Sequence, residues 1–193
     1  VVGFDAFFEE DDVASTSEIQ ETDYLASVLE SLTPKGELEV VSGEKTFAPN
    51  VPAYVTREEN KVIEYELTTV ETSDEIAKGV TYDSLWTFDG KAPGPGLRAK
   101  VGDGLRSTRK NEPESARPQN VDFHFVSGPG GGAANTTVAP GEERTIEVRA
   151  LYPGMFMYHC AFGDVPQHIA NGMYGFVIID PVDPLPEVDH EFA

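Results

Sequence analysis

From about Val51 onward the chain divides into short runs in which apolar and polar residues alternate, each cut off by glycine or proline. The runs are KVIEYELTTV, SLWTFDG, ERTIEVRAL, MFMYHC and YGFVIID, and the punctuation between them is KAPGPG, VGDG, GPGGG, APGEE and LYPG. A period of two places one side of each run against a core and the other toward water. Turn residues at this spacing predict an all-β fold, a Greek-key β-sandwich or barrel. Three segments follow. Residues 1–50 read as an acidic N-terminal arm, part helical because SEIQETDYLASVLESL spaces its apolar residues roughly as a helix does after a Ser/Thr-rich start. Residues 51–182 carry the strand pattern, and residues 183–193, rich in Pro and Asp, have the character of a linker.

Charge narrows the partners. With 14 basic against 34 acidic residues the formal net charge is -20, and carboxylates repel phosphate where binding needs Lys and Arg. Nucleic acid and anionic membrane surfaces are therefore excluded as partners. The acidity runs along the whole chain, a pattern that suits solubility in high salt and a halophilic source; an ordinary acidic secreted protein is the plainer alternative. No apolar run reaches membrane-spanning length, and no signal peptide is legible. A single cysteine rules out an internal disulfide and leaves Cys160 as a buried thiol, a reactive thiol or a metal ligand.

The stretch MFMYHCAFGDVPQHIANGMYG concentrates the chemistry: it holds Cys160, His168, Met173 and two of the four histidines of the chain. Thiolate, imidazole and thioether together form the soft donor set that copper favours when it cycles between oxidation states. Seven residues between Cys160 and His168, and four between His168 and Met173, let a loop leave one strand, wrap an ion and enter the next. Taken singly, Cys160 reads as a core thiol and Met173 as packing. His159 precedes Cys160, and adjacent strand residues point to opposite faces, so the two would serve different ions. In QNVDFHF, Asp122 and His124 would share a strand face, with Gln119 on the other. His124 can join His159 at a second metal with Asp122 beside it as a proton donor or acceptor; the plainer readings are a satisfied core histidine and a solvated strand carboxylate. Trp86 and its aromatic neighbours read as core filling, and GPGGG as a flexible loop near a substrate channel rather than a phosphate loop, since no lysine follows.

In order along the chain, LWTFDGKAPGPGLRAKVGD, NVDFHFVSGPGGGA, VAPGE, RALYPGMFMYHCA and HIANGMYGFVIIDP resemble the N-terminal cupredoxin domain of copper-containing, nitric-oxide-forming nitrite reductases. The resemblance runs from about Val51 to the end, and HIANGMYG is most similar to the branch that includes outer-membrane-anchored bacterial enzymes. It implies a cupredoxin-like fold, a type 1 copper held by Cys160, His168 and Met173, a type 2 copper held by His124 and His159, and Asp122 hydrogen-bonded to nitrite. It further implies one-electron, two-proton reduction of nitrite to nitric oxide, a homotrimer, and an electron donor such as a small blue copper protein or cytochrome. An extracytoplasmic place, periplasm-like or at the cell surface, goes with it.

Two departures from the family pattern stand out. Gln119 occupies the position of the expected second type 1 histidine, and GDGLRSTRKNEP is more polar than the corresponding strand of the family. Family enzymes also carry a second cupredoxin domain, which supplies the remaining type 2 histidine from a neighbouring subunit. LPEVDHEFA resembles the linker into that domain; His190 within it matches no ligand position, so the type 2 site is expected to be incomplete in this chain alone. A single-domain electron-transfer cupredoxin is the alternative, opposed by His124, Asp122 and His159. A laccase-like multicopper oxidase is opposed by the lack of paired His-x-His motifs.

Overall fold

The first sheet is organised on β2 (Val62–Ala77), a strand long enough to have different neighbours along its two halves. The computed structural model describes residues 37–192; the helical run read in SEIQETDYLASVLESL lies outside them. Along β2, Ile63, Tyr65, Leu67 and Thr69 are buried while Glu64 and Glu66 face outward, as strand geometry requires of a sheet with one wet face. Its first half pairs in parallel with β1 (Val40–Ser42) and with β5 (Gly104–Asn111), and its second half is antiparallel to β3 (Val80–Phe88). Beyond β5 lies β7 (Glu143–Arg149). The second sheet runs in the order β4 (Leu97–Lys100), β9 (Tyr174–Asp180), β8 (Gly154–His159), β6 (Asp122–Phe123). Between the two curled sheets Leu67, Phe88, Leu97, Leu105, Phe123, Tyr158, Val177 and Ile179 form one core, which makes the domain an all-β Greek-key sandwich.

Sheet pairing begins earlier than the alternating pattern does. Val40–Ser42 belongs to the stretch assigned to the arm, yet it adds a strand to β2, and Thr46 bridges Gly96. A three-residue strand whose partner starts at Val62 has too short a pattern to be read locally.

The polar strand β5 is polar on both faces, for different reasons. Outward, Arg106 pairs with Glu64 and Glu147, and Lys110 with Glu66 and Glu143, charges brought opposite one another by the strand register. Such exposed pairs, screened by solvent, add little to stability. Inward, Arg109 is fully buried with its guanidinium 4.6 Å from the Phe88 ring centroid, donating to Leu67 O and Thr69 Oγ1. Burial pushes its pKa down to about 10, so it stays cationic at neutral pH inside the core. A second buried arginine, Arg98 on β4, lies on the face of its sheet turned away from the core, where it pairs with Asp180 on β9, donates to Pro52 O and also reaches Glu191, which ties the last described residues to this sheet.

Candidate metal centres

β8 delivers side chains to both sides of its sheet, and its last residues decide the chemistry. Asp122 on β6 lies in register opposite His159, and the His124 amide continues that ladder by donating to Met157 O at 3.1 Å. The three side chains therefore share the outer face of the sheet. Their donor atoms all lie within 4.8 Å of one another, with His159 buried, Asp122 half-buried and His124 exposed. Cys160 N donates to Met173 O, and His159 pairs with Tyr174, so Cys160 and Met173 are cross-strand neighbours facing the other way. Both are fully buried.

The outer cluster brings together three side chains of the types that ligate cations. His159 Nδ1 lies 3.0 Å from the Cys160 carbonyl, which can only accept; the ring is therefore protonated at Nδ1 and presents a lone pair at Nε2. His124 Nε2 sits 3.0 Å from that lone pair. With neutral rings, His124 must donate there; a cation between the two nitrogens would take the place of that proton. Gly131 crosses this cluster from behind: it lies in the tight turn Pro129–Gly132 with φ of 47°, against the Phe123 backbone and the Asp122 carboxylate. The GPGGG stretch thus packs on β6.

In the inner cluster three side chains converge through one oxygen. His168 is carried by α2 (Val165–Ala170), one of two short helices among the described residues with α1 (Ala133–Thr136), and Met173 N donates to His168 O at 3.0 Å to close the loop. Gln119 Oε1 accepts from Cys160 Sγ at 3.1 Å and from His168 Nδ1 at 2.9 Å. Burial pushes the Cys160 thiol above its ordinary pKa, and burial, helped by the charge of Arg117, holds the His168 imidazole below its own. Both groups are thereby kept neutral near pH 7. His190, by contrast, stands exposed in the tail with its ring 5.9 Å from that of Phe192 and joins neither cluster.

Two neighbours of the inner cluster were not singled out from the sequence for their present role. Asn120 Oδ1 accepts from Ala161 N at 2.7 Å, fixing the chain just past the thiol, and lies 3.7 Å from Cys160 Sγ. Trp86 does pack in the core, but it also sets its ring against His168 in a T-shaped contact at 4.8 Å, with the Arg117 guanidinium over the ring 4.2 Å from its centroid. Asn120 stands directly beside Gln119 in QNVDFHF, which was the available signal.

A β-sandwich whose one strand end supplies an imidazole to an outer His–His–Asp cluster and a thiol to an inner Cys–His–Gln cluster is a copper-protein type of scaffold, of the cupredoxin class. The multicopper oxidase family pattern matches residues 69–184, and the chain belongs to that family. Among relatives, it is 45% identical over 159 residues to the copper-containing nitrite reductase of Neisseria meningitidis serogroup B, covering 82% of this chain and 40% of that protein. It is 37% identical over 126 residues to the copper-containing nitrite reductase of Alcaligenes xylosoxydans, covering 65% of this chain and 38% of that protein. Among solved structures, a copper nitrite reductase from Nitrosomonas europaea superposes with a TM-score of 0.62 at 39% identity, over 67% of this chain and 46% of that one. The chain thus spans about two fifths of the length of the curated relatives it matches.

Proposed function

We propose that this chain is the part of a copper nitrite reductase that carries the electron-accepting site and two ligands of the nitrite-reducing site. Cys160, His168 and Met173 would hold the type 1 copper, and His124 and His159 the type 2 copper. The donor chemistry fits: a thiol and an imidazole converge on the inner side, with Met173 buried as the cross-strand neighbour of Cys160, and two imidazole nitrogens face one another 3.0 Å apart on the outer side. Bound copper would supply Lewis-acid binding of nitrite and the transfer of one electron. The overall change is nitrite plus one electron and two protons to nitric oxide and water.

The observation that carries this reading is the adjacency of His159 and Cys160, which sends neighbouring side chains into two clusters on opposite sides of one sheet. A carrier protein has no use for the outer cluster. His159 holds its Nε2 lone pair in place by donating Nδ1–H to Cys160 O, and Asp122, within reach of both imidazoles, can hydrogen-bond a nitrite oxygen and hand it a proton. Met155 and Met157 lie exposed on the same β8 face as His159, which supports a subunit covering this face in a homotrimer and a second cupredoxin domain completing the ligand set. The electron donor would be a small blue copper protein or a cytochrome, and the setting extracytoplasmic. The net charge of -20 supports a source that lives in high salt, and the proposed reaction would be a step of denitrification.

Copper analysis with visible and paramagnetic spectra, together with nitric oxide production from nitrite under a one-electron reductant, tests the proposal on the purified native assembly. Two coppers per subunit, a thiolate-to-copper band and nitric oxide release are expected. A single copper with the band, no type 2 signal and no turnover would replace the proposal with an electron-transfer cupredoxin.

A further inference from the structure

Gln119 is wholly buried, and nothing in the proposed reaction accounts for where it points. Its backbone is pinned by a two-way bridge with Val138, at 3.0 and 2.9 Å, so the side chain leaves a fixed anchor. The carboxamide turns its oxygen into the inner cluster, 3.1 Å from Cys160 Sγ and 2.9 Å from His168 Nδ1. Its nitrogen is left buried without a hydrogen-bond partner among the described residues. An orphaned buried N–H group is costly, because its lost hydration is not replaced. The orientation therefore commits the oxygen to the position where the thiol and the imidazole also converge, and leaves the other end of the amide unsatisfied.

Resting on the copper reading above, we infer that Gln119 Oε1 is itself a copper donor, giving the inner site one thiolate, one imidazole and one amide oxygen, with Met173 alongside. With metal bonds of about 2.0–2.3 Å, donors of a four-coordinate ion stand roughly 3.3–3.7 Å apart. The separations of Gln119 Oε1 from sulfur and nitrogen fall only a few tenths of an ångström short of that range. Loss of the thiol proton, and a shift of the imidazole proton from Nδ1 to Nε2, would free the two groups that now hydrogen-bond Gln119 Oε1 to take a cation after a small outward movement. An amide oxygen is a harder and weaker donor than a second imidazole, so this copper is coupled to one imidazole nitrogen rather than two.

The test is pulsed paramagnetic resonance and copper titration on the copper-loaded protein, with Gln119→Leu, Gln119→His and Cys160→Ser beside the unchanged chain. The unchanged protein is expected to show a thiolate-to-copper band, lost in Cys160→Ser, and a single strongly coupled imidazole nitrogen. Gln119→Leu should weaken copper binding at this site by about tenfold or more, while the His124/His159 signal persists and reports that the fold is intact. Gln119→His should add a second coupled imidazole nitrogen. If Gln119→Leu matches the unchanged protein in band and affinity, or Gln119→His still shows one nitrogen, the amide is no donor although the copper reading stands. If the unchanged protein has no thiolate band and Cys160→Ser alters nothing, the inner copper site itself fails, and this inference with it.

Discussion

Replacing Gly131 with alanine tests whether the turn behind β6 sets the geometry of the outer cluster. A Cβ built at Gly131 would overlap Asp122 Oδ1 and lie 2.5 Å from Phe123 O and 2.6 Å from Phe123 N. Ordinary contact distance for such pairs is about 3.4 Å, so either the turn or the β6 backbone must retreat by nearly 1 Å. The carboxylate could rotate away; the Phe123 peptide cannot, because Phe123 is paired with Tyr158 and its side chain is buried. Overpacking of this kind costs about 1–3 kcal/mol. The φ of 47° adds about 1–2 kcal/mol for any residue with a Cβ. Together these predict a loss of about 2–5 kcal/mol, or a melting temperature lower by roughly 5–20 °C in a domain of this size. On the proposed reaction, because Asp122 moves with β6, nitrite turnover should fall by about 10²-fold from misplacement alone, while the thiolate-to-copper band stays unchanged. Calorimetry, visible spectra and nitric oxide production on the same preparation read all three. A Gly131→Ala protein with the melting temperature and turnover of the parent would refute the claim that this turn positions Asp122.

On the same proposal, Asp122→Asn keeps the shape and removes the proton; turnover of nitrite should drop by about 10²–10⁴-fold with both copper signals retained, whereas unchanged turnover at every pH would remove Asp122 from the chemistry. Tyr65 donates to Arg98 O and has its pKa raised to about 12 by burial, so the folded state holds this proton more tightly than the unfolded chain. Its contribution, roughly 2–3 kcal/mol, is full below pH 10 and is lost as pH rises toward 12. Urea midpoints at pH 8 and pH 11 should therefore diverge less in Tyr65→Phe than in the parent. Arg98→Met strands Asp180 as a buried unpaired charge and should cost about 3–5 kcal/mol. The double variant Arg98→Met/Asp180→Leu should recover most of that loss in thermal melts, and a double variant as unstable as the single one would show that packing, not charge, is at stake.

Wherever an element's character is local, it could be read from the residues. β2, β3, β7, β8 and β9 coincide with alternating runs because a strand with one buried face must alternate, and Cys160, His168 and Met173 stood out because their side chains are chemically rare and closely spaced. β1 was hidden because its pairing with β2 joins distant residues. Arg109 was hidden for the opposite reason. It occupies an inward position of β5, where alternation calls for an apolar side chain, and is accommodated by the face of Phe88 and the Leu67 carbonyl rather than by anything near it in sequence. The oxygen of Gln119 and the backbone of Gly131 matter through what they approach in space. Residue type gave Gln119 as a departure, but only the fold directs its oxygen between Cys160 and His168.

The burial of Arg98 and Arg109 has an effect far from either residue. Two of the 14 basic side chains are withdrawn from the surface of a protein of net charge -20, leaving the exterior still poorer in positive charge. On the proposed reaction, nitrite must approach this molecule against a repulsive long-range field. That field extends about 30 Å at 0.01 M salt and only about 3 Å at 1 M. Added salt should therefore quicken nitrite capture, the reverse of what is seen where surface charge draws a substrate in, and a cationic donor protein should respond in the opposite direction. One ionic-strength series, run once with saturating donor and once with saturating nitrite, would separate the two.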